Sequence, residues 1–424
     1  MNTTDKGRNT HMILNKGNLA WPSTLKPAPA YPELAEDLSC DVLIIGGGMG
    51  GALLAHKLSG ANLQTVLLEK GRIAEGSSSA NTGLLQSSND KSLTSIIHTF
   101  GEQTGITFYQ MCRDAMRKLK EAAGGLKLEP ELIPRSSLYF ASSVEDVPYL
   151  KEEYETLREH GFETSYWDQA DIASRFPFSK PAALYTTGDA EVNPFRFVHG
   201  LVQYAADHGV RVYENSPVIH LEYEEDGVVC YTRTGRIFAR KIVHASGYET
   251  QEEKPDRNAL LQTTYAIVTS PVPDFTGWHE RCLIWETARP YLYMRTTVDN
   301  RIVAGGLDEH PVAPEEREGR IRHKSEMLLN EIKALFPRYA GIQADYAWAS
   351  LFGLTHDGLP MIGPHSRFPH SYFIEAYGGN GTVYCMIAAD LLSDVLCGKT
   401  RPELEIFSLE RTSKPSPNAQ VPGS

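Results

Sequence analysis

Three glycines and a carboxylate carry the first chemistry legible in this chain. In Asp41-Val-Leu-Ile-Ile-Gly46-Gly47-Gly48-Met49-Gly50-Gly51 an apolar run breaks into glycines and reopens as Ala52-Leu-Leu-Ala-His-Lys-Leu58, the pattern of strand, tight turn and helix. Gly46 permits the turn, Gly48 and Met49 bring backbone N–H groups up to a pyrophosphate, and Gly51 lets the helix pack on the strand. The phosphate charge then sits at the helix N-terminus. Glu69 ends the next apolar run, Thr65-Val-Leu-Leu-Glu69, 23 residues after Gly46, where a carboxylate can receive the hydroxyls of an adenosine ribose. A chance glycine turn with an unrelated surface Glu would not explain strand, helix, strand and acid in one register.

Two further stretches could meet a ligand. Gly71 to Gln86 is rich in small and hydroxyl residues, among them Ser78, Asn81, Thr82 and Gly83; it follows directly on Glu69, so it is read as running close to the ligand rather than as a solvated loop. In Pro290-Tyr291-Leu-Tyr293-Met-Arg295 the period of two puts two phenols and a guanidinium on one face. That face suits a carboxylate substrate, with Arg295 as the planar charged fork. The competing reading makes Arg295 a sheet residue paired with Asp308 or Glu309. His244, His356 and His365 lie near candidate ligand loops, but a lone His is more often structural, and no catalytic acid–base pair is assigned.

The elements that must position these residues follow from composition and periodicity. The 424 residues carry a formal charge of −12 and no Lys/Arg-rich block, which argues against a nucleic-acid partner, and no apolar run long enough for a membrane span. Six scattered cysteines show neither Cys-x-x-Cys nor metal-ligand spacing, so they are read as reduced thiols of a cytoplasmic protein, with no metal site. Residues 1–36 form a proline-punctuated extended arm without helix. Helical spacing runs from Ser92 to Gly124, from Val144 to His160, from Asn193-Pro194 to His208, from Glu315 to Phe336 and from Val383 to Leu396. Short strands are expected at 210–213, 218–221, 228–231 and 237–245, and in 258–310. Gly378-Gly-Asn-Gly381 is a second glycine turn aimed by a helix. Residues 403–424 read as a tail, disordered from Ser413 by composition.

The glycine turn, the Ser/Asn/Gly loop after Glu69, Ala245-Ser246-Gly247, Asp357-Gly-Leu-Pro-Met-Ile-Gly363 and Gly378-Gly-Asn-Gly381 occur in an order that resembles the FAD-dependent amine oxidoreductases of the D-amino-acid oxidase type. The Trp/Pro-rich arm, the Tyr-x-Tyr-x-Arg strand and Gly305-Gly-Leu-Asp308-Glu309 resemble the gamma-glutamylputrescine oxidase-like branch in particular. The resemblance implies an α/β (α+β) fold with a discontinuous Rossmann-like FAD-binding domain (37–95, 190–252 and 346–402) and a substrate domain (96–189 and 253–345) with an antiparallel or mixed sheet. It implies Gly46, Gly48, Gly51 and Glu69 at the ADP half, Val218 by the adenine, and Gly379, Asn380, Gly381 and Thr382 at the flavin ring. Ser350 and Ala80 stand where some relatives carry the flavin-linking Cys or His, so the FAD is expected to be non-covalent. The implied reaction is oxidation of a C–N bond in an amine or amino acid, with dioxygen or another electron acceptor. A 2-hydroxyacid or glycerol-phosphate dehydrogenase of the same fold and a non-catalytic flavin-binding subunit are the alternatives.

Overall fold

A computed structural model describes residues 12–411. Among them, two sheets organise the chain. The smaller, of eight strands, runs Met361–His365, Phe368–Glu375, Arg236–His244, Leu38–Ile45, Thr65–Leu68, Arg211–Tyr213, with the hairpin of His220–Tyr223 and Val228–Tyr231 hung on Arg236–His244. Its central strands are parallel, and their apolar residues are buried on both faces: Val42, Leu43, Ile44, Val66, Leu67, Ile242 and Val243 are at most 1% exposed. Register fixes the functional edge. Ile45 lies opposite Leu68 on one side and His244 on the other, and Leu68 lies opposite Tyr213. The loops that begin with Gly46, Glu69 and Ala245 therefore leave the same edge, the carboxyl end where open parallel sheets bind ligands.

The helix Met49–Leu58 is apolar nearly all round because it is enclosed: it packs against Gly381–Leu396 and Pro194–Asp207 as well as the sheet. Pro194–Asp207 starts as its sequence predicts, with Asn193 Oδ1 accepting from the Arg196 N–H at 3.2 Å and Pro at the first helical position. Leu93–Phe100, Glu102–Gly124, Val147–Glu159 and Pro314–Leu335 supply the other expected helices.

The larger sheet, of ten strands, runs Asn15–Asn18, Ala344–Thr355, Ala259–Thr269, Ile302–Glu309, Leu292–Thr296, Leu283–Glu286, Ile133–Phe140, Ala182–Glu191, Leu84–Leu85, with Ser165–Asp168 beside Ala182–Glu191. It is mixed: Leu283–Glu286 is parallel to Ile133–Phe140 and its other pairings are antiparallel. Three long or unexpected members lacked an alternating signature. Ala344–Thr355 and Ala182–Glu191 are rich in Ala, Thr and Gly, and Asn15–Asn18 is a polar edge strand within the proline-rich arm. Ala344–Thr355 belongs to this larger sheet, although sequence had drawn the boundary of the other unit at 346.

The arm does not lie loose. Trp21, 4% exposed, starts a short 3-10 turn to Thr24 and donates its indole N–H to Asn81 O at 2.7 Å, and Tyr31 N–H donates to the fully buried Glu214. The tail reading also starts too early. Pro402–Phe407 forms a 3-10 turn with Phe407 buried, and Arg411 forks onto Asp357 at 2.7 and 2.9 Å while donating to the carbonyls of Leu359, Pro360 and Ser408. Composition missed this because the apolar residues that dock the segment, Leu404, Ile406, Phe407 and Leu409, are few and spaced among charges, and Arg411 completes the contact. Residues 412–424 lie outside the described residues.

Arg295 corrects the sequence reading most sharply. It is 2% exposed, and its guanidinium donates to three backbone carbonyls, Thr82 O at 2.7 Å, Thr296 O at 2.8 Å and Val192 O at 2.9 Å, with Trp21 stacked 5.0 Å away. Burial lowers its pKa to about 10. The alternation that sets it on the face of Tyr291 and Tyr293 is real, but the Thr82–Gly83 loop covers that end of the strand, so the fork is spent on holding the loop.

Arg295→Met should therefore cost stability, roughly 2–4 kcal/mol for orphaned buried carbonyls, read as a lower thermal midpoint. A selective rise in the Michaelis constant for carboxylate substrates at unchanged stability would reverse this assignment. Arg411→Ala leaves the buried Asp357 charge unpaired and should cost about 3 kcal/mol in denaturant unfolding. Arg411 holds the Asp357 carboxyl below its ordinary range despite burial. Its contribution is thus present above the ordinary carboxylate range and is lost on acidification below it, so the Arg411→Ala deficit should shrink at low pH.

Candidate functional site

Gly46 leaves its strand at φ +112°, and a Cβ there would stand 2.5 Å from Ala245 O. At Gly51 a Cβ would meet Gly46 O at 1.9 Å, so the helix can approach its own strand only because the residue is glycine. Glu69 secures the turn from the neighbouring strand: Oε2 accepts from Gly47 N–H and Oε1 from Gly71 N–H, both at 2.8 Å. Burial raises its pKa, with those two N–H groups pulling the other way. The serine loop closes over the same point, Ser78 Oγ accepting from Met49 N–H at 2.9 Å.

Beside this turn lies one cavity of about 680 Å³. Gly46, Gly48, Met49, Glu69, Ser78, Asn81, Thr82 and Val218 line it, as do Gly379, Asn380, Gly381 and Thr382, with Tyr291 and Tyr293 from the side of the larger sheet. Gly51, Gly83 and Arg295 do not reach it. Gly51 and Gly83 instead permit close backbone approach: a Cβ at Gly83 would meet Val192 O at 2.1 Å and the Arg295 guanidinium at 2.6 Å. None of His244, His356 and His365 lines the cavity, and His244 is stacked on Phe373 with its pKa pushed down to about 4 by burial.

Two helix N-termini serve the cavity, Met49–Leu58 and Gly381–Leu396. Neither Gly48 nor Asn380 spends a side chain on capping its helix. The Asn380 amide instead donates to Ser88 O and to Asn89 Oδ1 (3.0 Å), Tyr384 O–H donates to the same Oδ1 at 2.9 Å, and Gly379 N–H donates to Asp90 Oδ2 at 2.9 Å. Residues 88–90 thus lock the second glycine turn, and they line the cavity together with Gln86, Thr264, Trp285 and Phe352. Apart from Gln86, at the end of the loop read as running close to the ligand, the sequence reading missed these. The polar run Ser87-Ser88-Asn89-Asp90 just past the glycine loop was a usable signal; Thr264 and Trp285 carried none, because their exposure to the cavity depends on long-range strand register.

The residues present fit a flavin dinucleotide. Gly48 offers open backbone beside Ser78, the buried Ser77 Oγ has no hydrogen-bond partner, and two positive helix ends aim at one elongated cavity. Ser350 and Ala80, both lining residues, have no side chain able to form a stable covalent flavin link of the thioether or histidyl kind.

A family model described as FAD dependent oxidoreductase matches residues 41–395. Gamma-glutamylputrescine oxidoreductase of Escherichia coli (strain K12) is 25% identical over 387 residues, covering 89% of this chain and 88% of that protein. Among solved structures, glycine oxidase from Geobacillus kaustophilus superposes with a TM-score of 0.73 at 21% identity, covering 88% of this chain and 99% of that one. L-amino acid deaminase from Proteus vulgaris superposes at 0.75 with 19% identity, covering 91% and 97%. Matched by the family model over residues 41–395, most of its length, the chain belongs to the FAD dependent oxidoreductase family.

Proposed function

We propose that this FAD-dependent oxidoreductase oxidises the C–N bond of an amine or amino acid, with the FAD bound non-covalently. One observation carries the reading: a single cavity joins the Gly46–Glu69 turn, the Gly379–Thr382 turn and the phenol-bearing wall of the larger sheet. Several relatives whose names state a substrate, among them an oxidoreductase of gamma-glutamylputrescine and glycine oxidases, support the same bond class.

Bound FAD supplies the acceptor for a hydride equivalent from the carbon beside nitrogen. The chain's own residues do the rest. Glu69 would take the ribose hydroxyls on lone pairs not used by Gly47 and Gly71, and Gly48, Ser77 and Ser78 would meet the pyrophosphate. The N-terminus of Gly381–Leu396 favours negative charge placed beside it, which assists reduction of a ring held there. Asp90 is kept close to that turn by Gly379 N–H; burial raises its pKa, opposed by the Arg289 guanidinium and the N–H. Tyr291, Tyr293 and Trp285 exclude water from the wall where a substrate carbon would sit. The six cysteines are free thiols, five of them buried, as suits a reducing, cytoplasmic setting; among the described residues no helix is long and apolar enough to cross a membrane. Dioxygen or another acceptor would reoxidise the flavin.

The test is an anaerobic screen in which amines and amino acids are scored for loss of oxidised-flavin absorbance, followed by admission of air. No bleaching by any member of either class would refute the reading. The purified protein should also be yellow and release its FAD on acid or heat treatment; flavin retained by the denatured chain would exclude non-covalent binding. Gly48→Val should weaken FAD binding by more than tenfold, about 1.4 kcal/mol or more, and Glu69→Ala by less. Full flavin content at unchanged affinity in both variants would place the cofactor elsewhere.

A further inference from the structure

Asn15-Lys-Gly-Asn18 has no apolar residue to bury, yet it forms an edge strand of the larger sheet, antiparallel to residues 347–350. Specific contacts, not hydrophobic burial, must hold it there. Gly17 sits at φ +98°, and a Cβ there would meet Ala347 O at 2.5 Å and the Ile321 side chain at 2.8 Å, so only glycine lets the strand press in between the sheet and the helix Pro314–Leu335. From that helix Arg317, 1% exposed, donates its two terminal nitrogens to the carbonyls of Ile13 and Leu14, the latter at 3.0 Å. Leu351 N–H donates to Leu14 O as well, at 2.9 Å. Arg317 does not line the cavity; it grips the backbone of the arm from behind.

The other side of the arm meets the cavity, which Met12, Leu14, Asn15 and Leu19 help to line. Asn15 lies opposite Ser350, and Ser350 opposite Thr264, so one row of cavity-lining residues crosses three strands and ends in the arm. Asn15 then joins that wall to the serine loop. Its Oδ1 accepts from Ser350 O–H at 2.7 Å, and its amide donates to Gly76 O at 3.1 Å, just ahead of Ser77–Ala80. Trp21 holds Asn81 O at the far end of the same turn, and Met12 N–H donates to Glu252 Oε1 at 2.6 Å, from a third stretch of the lining.

Covering a sheet edge needs backbone pairing alone. It needs neither an amide that bridges two cavity walls nor a guanidinium taken out of water to hold two carbonyls, a burial that is costly unless its hydrogen bonds are made. The arm instead ties the larger sheet to the loop that carries Ser77 and Ser78, across the side of the cavity that a dinucleotide would fill.

We propose that residues 12–19 are a clasp over bound FAD, with Asn15 as a residue of the cofactor site and Arg317 as the positioning residue that latches the clasp from outside the cavity. The clasp rests on the non-covalent FAD reading and adds to it what retains the cofactor. Release of FAD requires the contacts of Asn15 with Gly76 and Ser350 to part, and the Arg317 fork opposes that opening. By the same linkage FAD holds the clasp shut, because a ligand that touches only the closed form stabilises it.

The experiment compares FAD-loaded with flavin-free protein and follows tryptic cleavage after Lys16, within the clasp, against cleavage after the exposed Lys127 as internal reference. FAD should slow cleavage after Lys16 at least fivefold relative to Lys127. FAD release, read as the rise of flavin fluorescence after dilution, should be at least tenfold faster in Arg317→Met and at least threefold faster in Asn15→Ala. Arg317→Lys should recover part, since an ammonium can still reach one carbonyl. If Arg317→Met does not fold, Asn15→Ala and the tryptic comparison carry the test. Equal relative cleavage after Lys16 with and without FAD, or an unchanged release rate in Asn15→Ala, would overturn the proposal. So would an Arg317→Met protein whose flavin-free form melts lower while its FAD leaves at the wild-type rate, because the fork would then support the fold alone. Flavin that stays with the denatured wild-type chain would instead remove the non-covalent reading on which the clasp rests.

Discussion

The structure depends on parallel strands that stop together. Because Ile45, Leu68 and His244 end at one level, the turns after them must all occupy the same rim, and a one-residue slip of any strand would invert its buried face as well as move its turn. Everything at the dinucleotide end follows from that level. The glycine turn can face Glu69 across 2.8 Å, and the helix beyond it can bury Leu53 and Leu54 completely, each worth roughly 1.5–3 kcal/mol, only if the Gly51 position carries no side chain.

A cavity of about 680 Å³ between two sheets removes apolar packing where loops most need support. The chain replaces it with buried polar anchors. Asp189 accepts from Ser87 N–H at 2.8 Å and from Ser137 O–H; Glu214 accepts from Ile73 N–H at 2.8 Å and Tyr31 N–H at 3.0 Å; Arg295 holds Thr82 and Val192. Each anchor ties a cavity-facing loop to a strand or arm distant in sequence. The cost of burying these groups shows in Asp189, whose pKa burial pushes up to about 6 despite three donors.

Local periodicity made the glycine-turn side of the cavity legible and left the wall from the larger sheet obscure. Gly46, Gly51 and Glu69 could be read because strand, turn and helix are adjacent in sequence and each glycine has a local steric reason. Asn193-Pro194 announced its helix for the same cause. Arg295 was misread because alternation gives a face but not what covers it, and its cover comes from residues 82–83, more than two hundred positions away. Ala344–Thr355 and Ala182–Glu191 were invisible because small residues between two covered faces leave no period of two. Trp285 and Thr264 reach the cavity through cross-strand register alone, which no single-sequence pattern encodes.

Tyr293 and Arg295 show how one strand divides its face between a cavity-lining residue and a structural one. On the regular strand, alternation carries Tyr293 into the cavity and Arg295 under the Thr82–Gly83 loop, where a desolvated guanidinium is tolerable because three carbonyls surround it. Across the ladder, Gly305 yields its side-chain space to the Tyr293 ring, and two residues later a β-bulge sets Leu307, at φ +58°, and Asp308 together opposite the single residue Thr264. Glu309, next beyond the bulge, anchors the outer helix through Arg320 and Lys324. The strain stored at Leu307 persists because pairing on both sides, to Tyr265 before it and Thr263 after it, fixes the ends of the bulge.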